Sequence, residues 1–78
     1  MSAPAEKIYL RVLRAVVDGA ETAREVGDEI GMDPGRVCAH LTYLSRQSLA
    51  ERSGLFWRHD SRQPVIRWRP TEAGRAAA

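Results

Sequence analysis

Apolar residues recur at helical spacing through the first quarter of the chain. Ile8, Tyr9, Val12, Leu13, Val16 and Val17 follow the three- and four-residue steps of an α-helix, and Gly19 supplies a stop. A helix is therefore expected over about 5–18. At about 100° per residue these side chains cover more than half of its circumference, leaving one strip to Lys7, Arg11, Arg14 and Asp18. A surface helix shows a narrower apolar stripe. This helix must be covered from two sides, by its own domain and by either further elements of that domain or a second copy of the chain.

A second helix is expected over about 22–30. Thr22-Ala23-Arg24-Glu25 fits a capping box, with the hydroxyl at N-cap and the carboxylate at N3. Ala23, Val26 and Ile30 form its buried stripe; Gly27 lies on the same side, which suits close passage of another helix. Gly31 ends it. A third helix over about 34–47 opens with Asp33 as N-cap and Pro34 at N1, and turns Val37, Leu41 and Leu44 inward. The period then changes to alternation, predicting a hairpin over about 49–69. Leu49, Leu55, Trp57, Ile66 and Trp68 are its expected inward positions, and a tip at Asp60-Ser61-Arg62-Gln63 sets Trp57 against Ile66 and Leu55 against Trp68. Pro70-Thr71-Glu72 reads as strand exit and a short helical start capped by Thr71.

The order is helix, helix, helix, hairpin. Gly27, Gly31 and Val37 fall where a helix-turn-helix is most constrained: the close contact, the turn, and the anchor of the following helix. The expected fold is α+β, mainly α: a three-helix winged helix-turn-helix with a C-terminal β-hairpin wing, one domain over 1–78. Thr22-Ala23-Arg24-Glu25-Val26-Gly27, Arg36-Val37-Cys38-Ala39-His40-Leu41 and Arg67-Trp68-Arg69-Pro70-Thr71-Glu72-Ala73-Gly74-Arg75 resemble the winged helix-turn-helix superfamily of bacterial transcriptional regulators, MarR/ArsR/PadR-like in the broad sense. Leucine is common in that superfamily at the position of Pro70. The resemblance implies sequence-specific binding of double-stranded DNA by a small regulator, plausibly a repressor, with its third helix in the major groove. Members often continue into dimerisation helices or a ligand pocket; this sequence carries neither, so no small-molecule effector is expected. It also lacks the cysteine and histidine set of the metal sensors.

Charge sharpens this picture. The formal net charge is only +2, yet residues 1–33 hold four basic side chains against seven acids, and residues 34–78 hold eight arginines against three acids. The halves carry −3 and +5, a field suited to a polyanion. On the third helix the outward residues are Gly35, Arg36, Ala39, Thr42, Tyr43 and Arg46, with no acid among them. Arg36 is the candidate for base readout and Ala39 for a thymine methyl, with Gly35 permitting close approach; Thr42, Tyr43 and Arg46 suit phosphates. In the wing, Arg62 at the tip suits a minor groove, and Arg58, Arg67 and Arg69 suit the backbone. Acids opposite these arginines look scarce, although a solvated strand would give Arg67 and Arg69 the same alternation. A winged-helix protein–protein interaction module without DNA readout is the alternative.

The remaining residues point to no further chemistry. One cysteine forms no internal disulfide, and Cys38, His40 and His59 are too scattered for a zinc site. Cys38 reads as a partly buried structural residue rather than a redox switch, and His40 as a packing residue at the edge of the stripe. No nucleophile–base pair, carboxylate dyad or phosphate loop is present, so neither catalysis nor a cofactor is expected. No segment has the length of a transmembrane helix and the start lacks a signal-peptide layout, which implies a cytoplasmic protein. The broad apolar arc of the first helix makes a homodimer through it conceivable.

Overall fold

The computed structural model describes residues 7–57 and 64–78. Its elements run α1 (Ile8–Val17), α2 (Ala23–Ile30), α3 (Pro34–Arg46), β1 (Ala50–Phe56), β2 (Val65–Pro70) and α4 (Glu72–Ala77). The fold is the expected mainly helical winged helix-turn-helix, with α4 as a fourth, short helix. The predicted tip, Asp60–Gln63, and with it Arg58 and Arg62, lies outside the described residues.

The N-cap residues act as the sequence predicts, although Glu25 meets the Thr22 hydroxyl rather than its backbone N–H. Thr22 Oγ1 accepts from the Glu25 backbone N–H at 3.1 Å while its hydroxyl donates to Glu25 Oε1 at 3.2 Å. Gly31 closes α2 in the left-handed region, at φ 71° and ψ 41°. Asp33 Oδ2 then accepts from the Gly35 N–H at 2.9 Å, with Pro34 in the first turn of α3. Each cap satisfies an N–H that the first turn of a helix leaves open. Gly27 has a different role from the one expected. A Cβ there would collide with the Met32 carbonyl, so the chain passing close is the turn between the helices rather than a crossing helix.

α1 is the spine of the core. It touches α2, α3, β2 and α4, and buries Val12, Leu13, Ala15 and Val16. The domain's own elements therefore cover most of the broad apolar arc; Ile8, at the start, stays exposed. Val26, Val37, Leu41, Leu44, Ala50 and Trp68 complete the buried cluster. Each Leu or Val sealed in this way contributes about 1.5–3 kcal/mol.

The hairpin departs from its expected register. β1 and β2 pair antiparallel as Ala50–Pro70, Glu51–Arg69 and Arg52–Trp68, then Gly54–Arg67, Leu55–Ile66 and Phe56–Val65. A bulge between Arg52 and Gly54 adds Ser53 to the first strand and shifts every pair beyond it. The ladder starts with Ala50 opposite Pro70, already offset from the expected pairing before the bulge, so Leu55 faces Ile66 rather than Trp68, and both Leu55 and Trp57 stand exposed instead of inward. Trp68 is buried as expected, and its backbone N–H donates to the Glu21 carbonyl at 2.6 Å. That bond fixes β2 against the segment between α1 and α2.

The hairpin exit is clamped to the end of α3. Ser48 adopts a positive φ of 59°, and the Leu49 N–H donates back to the Leu44 carbonyl at 2.9 Å. Thr71 caps α4 through the Gly74 N–H at 3.0 Å, donates its hydroxyl to the Ser48 carbonyl at 2.6 Å, and donates its N–H to the Leu49 carbonyl at 3.1 Å. Gly74 sits so close to the Leu49 carbonyl that a Cβ would overlap it. The wing is thereby held in one direction relative to α3.

Candidate nucleic-acid interface

Helix α3 presents its outer face as one strip. Val37, Leu41 and Leu44 are fully buried, while Gly35, Arg36, Ala39, Thr42, Tyr43 and Arg46 are all exposed. At 100° per residue Arg36, Ala39, Tyr43 and Arg46 lie along nearly one line, opposite the buried stripe. The two arginines are about 15 Å apart along the axis. Among the described residues no carboxylate pairs with either of them. Both remain available to an outside anion.

Thr42 and Tyr43 are less free than the sequence suggests. The Thr42 hydroxyl donates to the Cys38 carbonyl, four residues back, at 2.9 Å. The Tyr43 ring leans on Tyr9 of α1, with centroids 5.3 Å apart and planes at 58°, yet Tyr43 keeps 44% of its surface exposed. Both are therefore held in place, Tyr43 within the strip and Thr42 at its edge. Cys38 is exposed, not partly buried as expected, because the strip it flanks turns away from the core on the side of the hairpin. His40, half-buried, takes the expected edge position.

The two arginines of β2 have acidic neighbours, contrary to the expected scarcity. Arg69 Nε donates to Glu51 Oε1 at 2.7 Å across the ladder, and Arg67 Nε lies 3.9 Å from Glu21 Oε2. Arg67 also stacks over the Phe56 ring at 4.6 Å. Glu51 and Glu21 were invisible as partners because their proximity depends on the register and on the Glu21–Trp68 bond. Arg52, missing from the sequence-derived set, is exposed on the same hairpin with its guanidinium 5.6 Å from the Trp68 ring. Its place in the arginine-rich second half was the available signal. The acids of α2, Glu25, Asp28 and Glu29, are exposed, and Glu25 and Asp28 line the same cleft as the hairpin and the start of α3, so the sequence's charge division does not become a clean division in space.

A cleft of about 630 Å³ opens between the hairpin and the first turns of α2 and α3, walled by Phe56, Ile66, Trp68, Pro34 and Cys38. No helix of the described residues is long and apolar enough to cross a membrane.

No family model matches this chain, and no curated protein matches it in sequence. Solved structures share its fold. The ZitR C30AH42A mutant from Lactococcus lactis superposes with a TM-score of 0.72 at 21% identity, over 99% of this chain and 50% of that one. The PcaV transcriptional regulator from Streptomyces coelicolor, in complex with its natural ligand, gives 0.72 at 23% identity, over 97% and 52%. Wild-type apo MarR from E. coli gives 0.71 at 20% identity, over 94% and 52%. The chain is thus similar in fold to MarR-type winged-helix proteins and spans about half the length of those it matches.

Proposed function

We propose, from the winged helix-turn-helix fold shared with MarR-type regulators, that this chain binds double-stranded DNA as the recognition domain of a transcriptional regulator and carries no catalytic activity. The observation that carries this reading is the outer strip of α3, where Arg36 and Arg46 stand exposed, unpaired among the described residues, with no acid between them. A solvated helix face ordinarily mixes both signs of charge. A face bearing only positive charge and small or hydroxyl-bearing side chains matches a major groove lined by phosphates. Arg36, in the first turn, reaches base edges, with Gly35 and Ala39 admitting the duplex closely. Arg46, Thr42 and Tyr43 hold the backbone. Arg67 and Arg69 exchange their carboxylate neighbours for phosphates or share them, and Arg58 and Arg62 extend the same contact from the wing.

Titration onto duplex DNA at two salt concentrations tests the reading. Binding that weakens steeply with salt supports it, because each neutralised phosphate releases counterions. Selection of bound duplexes from a random pool then gives the base preference. A two-fold symmetric site would mark a homodimeric regulator, and an asymmetric one a single reading head. Failure to bind duplex at low salt would overturn the proposal.

A further inference from the structure

The hairpin carries two large apolar side chains that the fold leaves outside. Leu55 is 66% exposed and Trp57 is 68% exposed, whereas the other tryptophan, Trp68, is 3% exposed in the core. Strand alternation sends Leu55 and Trp57 to the same side. Ile66, paired with Leu55, packs against the core cluster, and Trp57 lies further out along the hairpin. Trp57 follows the last ladder pair, Phe56–Val65. Neither the register nor the core requires an indole there.

The surroundings of these side chains indicate what covers them. Arg52, opposite Trp68, is exposed on their face of the hairpin, whereas Arg67 and Arg69 alternate to the other face beside Glu21 and Glu51. A second copy docking symmetrically on this face would bring its own Arg52 into the same patch. A duplex instead presents phosphates to the guanidinium group and the apolar rims of deoxyribose to the indole, and the arginines of α3, without a carboxylate partner among the described residues, already suit that polyanion. Apolar wedges used together with basic side chains are a recurrent means of holding a minor groove.

We propose that Trp57 is a DNA-contact residue, an apolar wedge at the outer end of the ladder that packs on the deoxyribose wall of the groove receiving the wing. This rests on the DNA-binding reading above and adds to it a contact that is neither charged nor salt-dependent.

The two tryptophans make the test direct. Acrylamide quenching of the parent reports mainly Trp57, and the Trp57→Phe protein supplies the baseline for buried Trp68. Duplex DNA should protect the parent's emission toward that baseline. Trp57→Ala should bind duplex about tenfold more weakly with an unchanged salt slope, while Trp57→Phe stays near the parent. An unchanged circular dichroism spectrum checks that the Ala variant is folded. If the parent binds duplex with Trp57 still quenched, or Trp57→Ala binds as the parent does, the wedge is refuted and the DNA reading stands. If the parent does not bind duplex, both fall. Protection without DNA that grows with protein concentration would assign the patch to a second copy and overturn the wedge.

Discussion

Arg69 faces Glu51 across the hairpin ladder, with Nε donating to Oε1 at 2.7 Å. Both side chains are about half or more exposed, so the pair itself adds little stability, at most about 1 kcal/mol. Its consequence is electrostatic: a carboxylate sits beside an arginine proposed for phosphate contact. Glu51→Gln removes that charge and should tighten duplex binding about two- to fivefold at low salt. Fluorescence anisotropy at two salt concentrations measures it. An unchanged affinity would place Arg69 away from DNA.

The two arginines of α3 should differ in kind. Arg36→Ala should relax base preference, costing about 1–3 kcal/mol at one position of the preferred site and little on random duplex. Arg46→Ala should weaken all duplexes alike and lower the salt slope by about one. Competition between selected and random duplexes separates these outcomes, and a parent-like result for both variants would mean that α3 is not the reading surface.

Gly74→Ala should destabilise the fold by about 1–3 kcal/mol, because the new Cβ meets the Leu49 carbonyl, a backbone atom fixed by the Thr71 N–H. For a domain of this size the melting temperature falls by roughly 4–8 °C for each kcal/mol. Gly54→Ala, where an added Cβ meets nothing within 4 Å, should leave it nearly unchanged. Calorimetry of the pair distinguishes close packing from a general dislike of substitution.

Thr71→Val should cost about 1–2 kcal/mol by removing both the cap on α4 and the donor to the Ser48 carbonyl. Urea unfolding measures the loss. If the wing's direction depends on this clamp, duplex affinity should also drop, by more than the helix cap alone explains.

Cys38 should react with a maleimide in the folded protein, since the thiol is exposed beside the outer strip of α3. Duplex DNA in excess should slow the reaction, and a bulky label should lower affinity without changing the circular dichroism spectrum. Equal rates with and without duplex would move the contact surface off this side of α3.

The sequence by itself determined the helices, their caps and their buried stripes. Thr22, Asp33, Gly31 and the Val37–Leu41–Leu44 spacing act within a few residues of themselves, so local geometry suffices to read them. It also determined the outward strip of α3, since a helix that buries one stripe must expose the opposite one. Only the tertiary structure decided the wing. Its register starts with Ala50 opposite Pro70, and one extra residue at Ser53 then changes every partner beyond it. The pairing that starts at Ala50–Pro70 set Arg69 against Glu51, the bond from Trp68 to Glu21 brought Arg67 beside Glu21, and the docked hairpin left Trp57 in solvent while Trp68 entered the core. Contacts between residues far apart in the chain depend on how whole elements are docked, which no window of the sequence contains.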